Sequence, residues 1–292
     1  MRGLLAAVMA DRWRAALAAV ATAFLALLLP PLSLASGAVV ALVTLVHGAA
    51  EGMLVTAIAA GGGALTGLVA LKQPWVALAF VLGSWLPAVG VAAVLRATRS
   101  LALGLWASAA TGAGVALLAH LALADPAAFW RELLASPPLR EALPADAAER
   151  LAGWMGVLLA TGTALGLSLV LLLARGAQAV LYNPGGLARE LRLLRPGRVG
   201  AALTALCWGG GLAGLAPVRD VAGALSVPWL FGGLGVLHAL AGGRRAPLVA
   251  AYVALALVPH LVLVLAGLGW ADAWLDLRRR LAPAGGPPDR GP

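Results

Sequence analysis

The chain is poor in almost everything from which enzyme active sites are built. Its 292 residues include one cysteine, four histidines, two tyrosines and 12 acidic residues. Cys207 alone makes neither an intrachain disulfide nor a cysteine-based metal site. No serine, cysteine or zinc hydrolase pattern is present, and the glycine runs lie inside apolar segments without the lysine or strand context that phosphate-binding loops need. The expectation is a protein that is not an enzyme and carries no cofactor or metal. Lysine is nearly missing too: Lys72 is the sole one, so the net charge of +9 is an arginine charge. The arginines fall in connections and at the ends rather than on one face, which points to an anionic membrane surface and away from nucleic acid.

What the chain has in excess is hydrocarbon. Hydrophobic residues make up 62% of it, charged residues only 11%, and the mean hydropathy is +0.94. A water-soluble fold has no interior large enough for that. Windows of about 20 residues, the length that crosses a bilayer, mark apolar segments near 13–30, 34–47, 52–71, 75–95, 101–124, 151–174, 198–216, 221–243 and 247–269. The fold class is therefore all-α, a polytopic transmembrane helix bundle of 8 to 9 spans. Eight results if the first two segments, parted by Pro30 and Pro31, form one broken element. Arg2, Arg12 and Arg14 ahead of Ala15–Leu29 also resemble a secretory signal, but with so many spans following, the segment is expected to be retained.

Charge orders these segments. Arg2, Arg12 and Arg14, then Arg96 and Arg99, then Arg175–Arg198, then Arg244 and Arg245 all fall on one side if every segment crosses. The Asp125–Arg150 connection, with five acids against three arginines, falls on the other. By the positive-inside rule the N-terminus is cytoplasmic, and a bacterial inner membrane is the expected location. Arg278, Arg279 and Arg280 break the pattern, because a ninth crossing puts them outside.

Short interfacial helices are expected in the 125–150 and 183–196 connections. In the first, Asp125 reads as an N-cap with Pro126 at the first helical position, and a second helix begins near Asp146. In the second, Asn183 and Pro184 are expected to start an amphipathic helix with Leu187, Leu191 and Leu194 on one face. Arg189, Arg192 and Arg195 then face lipid headgroups or a partner. The organisation is an N-terminal unit over 1–175, a basic linker over 176–197, a C-terminal unit over 198–281 and a disordered tail over 282–292.

Ionisable groups at membrane depth are costly and hence candidates for function. His260, beside the helix-bending Pro259, His238 in the eighth segment and His120 near the outer end of the fifth are the deepest. Asp272 and Asp276 share a helical face near the C-terminus, where Asp276 and Arg280 are also spaced as an i, i+4 ion pair. Small residues at four-residue spacing, including Gly63 and Gly67, Gly162 and Gly166, and Gly210 and Gly214, suit close helix packing. Among these stripes, Ala15, Ala19 and Ala23 are the candidate interface with a partner helix.

Four stretches resemble the YybS-like membrane proteins of domain-of-unknown-function family 2232: Pro30-Pro31-Leu32-Ser33 with Gly37, Leu181-Tyr182-Asn183-Pro184-Gly185-Gly186, Gly235-Val236-Leu237-His238-Ala239, and Ala271–Arg280. The second and fourth are the specific ones, and they add Tyr182 and Asn183 to the candidate residues. Leu32–Leu71, with His47-Gly48 and Glu51-Gly52-Met53-Leu54, is similar to the S components of energy-coupling-factor transporters. That likeness implies six spans, a small-molecule substrate and a membrane coupling subunit docked on Ala15, Ala19 and Ala23. The three segments after Ala174 depart from it. Two functions are expected on this basis: a transporter-like component binding a small molecule within the bundle, or a non-transporting scaffold or assembly factor that presents its basic cytoplasmic loop to a protein or to anionic lipid.

Overall fold

The computed structural model describes residues 1–137, 144–242 and 244–281, and all regular structure among them is helical. The expected tail over 282–292 and residues 138–143 of the acidic connection lie outside the described residues. The helices are α1 (Arg2–Val8), α2 (Arg12–Leu25), α3 (Leu32–His47), α4 (Ala49–Leu71), α5 (Val76–Thr98), α6 (Leu101–Ala122) and α7 (Pro126–Leu134). They continue as α8 (Ala145–Tyr182), α9 (Gly186–Leu193), α10 (Arg198–Leu212), α11 (Ala216–Ala241), α12 (Arg245–Leu257), α13 (Leu261–Leu275) and α14 (Leu277–Leu281).

Local chemistry sets many of these ends. The Asp11 carboxylate accepts the Arg14 amide at 2.8 Å, and the Asp125 carboxylate accepts the Ala128 amide at 2.9 Å with Pro126 following it. Such caps satisfy amides that have no partner in the first turn. The helix expected near Asp146 does run into the sixth apolar segment, giving α8 its 38 residues. At 1.5 Å per residue it is roughly 57 Å long and projects past a hydrocarbon core of about 30 Å.

Five helices, α4, α5, α6, α8 and α11, are long and apolar enough to cross a membrane. Their neighbours α3, α12 and α13 are apolar but shorter. The outer surface is itself apolar: Leu206, Leu212 and Leu263 are each more than 70% exposed. A surface of that kind is stable against lipid and not against water.

Two central helices carry the packing. α11 lies against α6, α8, α10 and α13, while α8 also covers α3 and α6. One core runs through Leu105, Ala164, Leu171, Ala224, Val227 and Phe231, so the stretches before and after the linker share it. A second is formed by α2, α3, α4 and α5, and it holds the alanine stripe: Ala15, Ala19 and Ala23 are at most 1% exposed. Their expected role as a face for another chain is thereby corrected. Removal of bulky side chains lets α2 approach α3 and α4 inside this chain, where the Ser36 hydroxyl donates to the Ala19 carbonyl at 2.7 Å and Trp85 Nε1 donates to Ser36 Oγ at 2.8 Å.

The ninth apolar segment is not one bent helix. Pro259 disfavours helical backbone at Val258, which adopts φ −127°, and the chain breaks completely between α12 and α13. α13 then crosses α11 at glycine. A Cβ on Gly233 would fall inside the Leu265 carbonyl oxygen's contact shell, and one on Gly269 would meet the Trp229 carbonyl. Beyond it, α14 touches the linker, since Arg278 donates to the carbonyls of Arg192 and Leu194 at 2.6 Å each.

Gly233→Val forces two backbones apart and is expected to cost about 1–3 kcal/mol or more, read as a fall in thermal stability in detergent. Gly267→Ala, on the same helix as Gly269 with nothing within 4 Å of its new methyl group, is the control and should leave stability unchanged.

Candidate functional site

The basic linker begins with a turn whose residues explain each other. The Gly186 amide donates to the Asn183 carbonyl at 3.0 Å, with Pro184 first and Gly185 second inside the turn. Gly185 sits at φ 82°, ψ −6°, the glycine position of a type II turn. Gly186 is bare as well, and a Cβ there would displace the Asn183 side-chain amide. Asn183 and Pro184 therefore do not start the next helix as expected. They turn the chain, and α9 starts at Gly186.

The turn lays α9 across α8 and α11. Leu187 and Leu191 pack on the core and Leu194 is buried in it, as the apolar face predicted. Polar contacts pin the helix at both ends. At the start, Arg175, 9% exposed, forms an ion pair with Glu190, its Nε lying 3.2 and 3.1 Å from the two carboxylate oxygens, and its Nη1 donates to Gln178. At the far end, Arg195 meets Asp276 at 2.7 Å and Arg198 Nε donates to the Ala273 carbonyl at 3.0 Å.

The second buried arginine of this set, after Arg175, is Arg278. Its Nε lies 3.0 Å from Asp272 Oδ2, an ion-pair contact without the alignment of a hydrogen bond. Its two Nη groups donate to the Arg192, Leu194 and Gly232 carbonyls, and its own amide donates to Asp272 Oδ1 at 3.2 Å. Burial pushes the guanidinium below its usual pKa, with the Asp272 carboxylate opposing. Asp272 and Asp276 thus each pair with an arginine, Arg278 and Arg195 respectively. The expected Asp276–Arg280 pair does not form, because Asp276 ends α13 at φ 47° and is turned to Arg195.

Between the start of α9 and the C-terminal end of α5 lies a cavity of about 540 Å³ lined by Arg96, Arg99, Arg175, Tyr182, Asn183 and Glu190, among others. Arg96 Nη1 donates to the Leu45 and Val46 carbonyls at 2.5 and 2.8 Å, capping the end of α3. Three guanidinium groups face one carboxylate here, a local excess of two positive charges. Beside it is a groove of about 900 Å³ that includes Arg12, His47 and Glu51, where Arg12 and Glu51 neutralise each other at 3.3 Å.

The opposite end of the bundle holds the other charged contact of interest. His120 Nε2 lies 2.8 Å from Asp220 Oδ2, and Asp220 is 2% exposed. Gly156 makes room for this carboxylate; a Cβ there would overlap it. Arg219 lies 3.5 Å from Asp220 Oδ1, donates to the Gly153 carbonyl at 2.6 Å and sits over the Trp154 ring. A cavity of about 230 Å³ adjoins the pair beneath α7. His120 is among the candidates that the sequence offers, whereas Arg219 and Asp220 fall between the apolar windows 198–216 and 221–243. α11 starts earlier, at Ala216, and takes Asp220 into its first turns.

The remaining candidates separate. His238 Nδ1 lies 2.8 Å from its own helix's Leu234 carbonyl, with Tyr252 against its ring. His260 is exposed in the turn between α12 and α13. Arg189 and Arg192 are exposed on α9. Among the described residues no group of three histidine, cysteine, aspartate or glutamate side chains is arranged to hold a metal. Comparison with family models, curated proteins and solved structures finds no match.

Asp220→Leu strands His120 and Arg219 without their shared carboxylate and should cost about 3 kcal/mol. Asp220→Asn, which keeps an acceptor for His120, should cost less. The two are compared by unfolding in detergent.

Proposed function

We propose that this chain is a non-transporting membrane scaffold whose linker helix α9 is held rigidly against anionic lipid headgroups at the cytoplasmic face of a bacterial inner membrane. The observation that carries this reading is where the protein uses its paired charges. Arg175–Glu190, Arg195–Asp276 and Arg278–Asp272 all fix α9 or its ends, while Arg189 and Arg192 stay exposed on it. Leu193, next to Arg192, and Val199, at the start of α10, are exposed as well. Arginine beside exposed hydrocarbon suits the boundary between headgroups and acyl chains. Three of the stretches on which the YybS-like resemblance rests also meet at α9: the Asn183–Gly186 turn leads into it, Gly235 passes the Leu191 carbonyl, and the terminal run pairs with it. That convergence supports the resemblance as part of the proposal.

Transport ranks second. A transporter gathers polar groups in a hydrated cavity at bilayer depth. Between α3, α5 and α8 a cavity of about 290 Å³ is lined by Ser33, Ser84 and Thr163 but by no charged residue. The buried His120–Asp220 pair is the observation that keeps this second reading in place.

Eight crossings fit the elements: α2, α3, α4, α5, α6, α8, α10 and α11. The ninth segment starts after α11 has passed the linker at Gly235 and ends on the linker at Arg278, so in this topology it dips into the membrane and returns. That places Arg278, Arg279 and Arg280 on the same side as the other arginines and removes the conflict in the charge pattern.

Two measurements test the proposal. In a Cys207→Ser background, Arg189→Cys and Arg279→Cys should both be labelled only from the cytoplasmic side; labelling either from outside intact cells overturns the topology. Protein released from membranes and weighed with its bound lipid should retain phosphatidylglycerol over phosphatidylcholine. The preference should fall on the order of 30-fold in Arg189→Gln/Arg192→Gln, since each headgroup-facing arginine contributes about 1 kcal/mol. Equal retention of both lipids, or solute uptake by proteoliposomes, defeats the scaffold reading.

A further inference from the structure

We infer that the cavity between α5 and the Asn183–Gly186 turn is a binding site for a phosphate group, carried either by a lipid headgroup or by a soluble phosphate ester. This goes deeper than the linker reading, on whose headgroup side it lies, but it stands on different arginines. Arg96, Arg99 and Arg175 line the cavity with Gln178, Tyr182 and Asn183, and Glu190 is its only acid.

The three cations are not equivalent. Arg175 is nearly buried and already matched by Glu190, so it supplies the wall rather than the charge. Arg96 is held in place by the Leu45 and Val46 carbonyls, which use one nitrogen of its guanidinium and neutralise none of its charge. Arg99 is exposed and makes no ion pair or side-chain hydrogen bond among the described residues. It also occupies the left-handed position that closes α5, at φ 53°, a place where glycine or asparagine is the ordinary choice. The site therefore has one fixed cation and one uncommitted cation, with a phenol and two carboxamides as further hydrogen-bonding groups. A phosphate monoester, with up to two charges and three terminal oxygens, satisfies this set better than a carboxylate, which has two oxygens and one charge. A phosphodiester headgroup brings one charge and two terminal oxygens, with its glycerol hydroxyls as further partners for the carboxamides. At about 540 Å³ the space exceeds what inorganic phosphate needs and admits a phosphoglycerol-sized group.

The surrounding structure explains why the turn is built as it is. Gly186 has no side chain, and a Cβ there would press on both the Asn183 amide and the Arg175 guanidinium. Tyr182 and Asn183 are thus kept at the cavity edge by the same type II turn that sends α9 across the bundle.

The test uses the whole protein in neutral detergent, with thermal stability as the readout. Inorganic phosphate is added against chloride at equal ionic strength, and separately short-chain phosphatidylglycerol against phosphatidylcholine. The variants are Arg99→Asn, which keeps a residue suited to the left-handed backbone, Arg96→Gln, and Arg189→Gln/Arg192→Gln as the linker control. Stabilisation by phosphate that weakens on the order of tenfold in apparent affinity in Arg99→Asn, in line with loss of a charge-assisted contact, and persists in the linker control identifies a soluble phosphate ligand. The same dependence seen with phosphatidylglycerol alone identifies the headgroup. No response to either probe, or a response unchanged in both Arg99→Asn and Arg96→Gln, overturns the site. A response lost only in the linker control overturns it too, while leaving the scaffold reading intact.

Discussion

A guanidinium withdrawn from water has to be met by acceptors on several sides, and the region where linker and C-terminus join depends on how Arg278 meets that demand. It draws on Asp272 from α13, on Arg192 and Leu194 at the end of the linker, and on Gly232 from α11. Four pieces of chain are joined by one side chain. The backbone beside it is constrained in turn, since a Cβ on Gly235 would crowd both the Leu191 carbonyl and the Arg278 guanidinium. The amphipathic helix α9 is therefore a fixed part of the bundle, with its apolar side in the core and its arginines directed elsewhere.

The rest of the bundle is held by small residues and indoles. In lipid there is little hydrophobic gain in bringing two apolar helices together, so close contact and hydrogen bonding carry the association. Alanine and glycine provide the contact, at Ala15, Ala19 and Ala23 and at the crossing of α11 by α13. Tryptophan provides directed cross-links: Trp85 to Ser36, Trp106 to the Pro196 carbonyl, Trp229 to Thr204 and Trp270 to the Ala201 carbonyl. Buried hydroxyls such as Thr44, Ser108 and Ser168 bond to carbonyls one turn back in their own helices. Such an interior has few free polar groups, which is why the charged sites sit at its two ends.

Capping and breaking were legible in the sequence because they are local. Asp125 with Pro126 starts a helix as its chemistry requires, and the apolar segments appear as helices close to their expected bounds, except the sixth, which is extended at both ends, and the ninth, which is two helices. Pro259 was legible as a disturbance, although a kink and a full break differ only in how neighbouring helices support the freed backbone. The alanine stripe was legible as a close-packing surface, but in an alanine-rich chain nothing in its spacing says whether the other surface belongs to the same molecule. Asp220 was not legible. It falls between the apolar windows 198–216 and 221–243, and only the pairing of α11 with α6 and α8 brings it to His120 and into the space left by Gly156.

The sequence by itself determined the solvent and the secondary structure: so much hydrocarbon has to meet lipid, and backbone in lipid has to bond internally, which leaves helices for segments of this length. Tertiary structure alone decided which charges are partners. Asp276 chose Arg195 over the helical neighbour Arg280, and Asp272 took Arg278. Arg96 and Arg99 came to share a cavity with Tyr182 and Asn183. These pairings join residues about 80 positions or more apart, or turn on a left-handed residue at a helix end, and no periodicity along the chain encodes either.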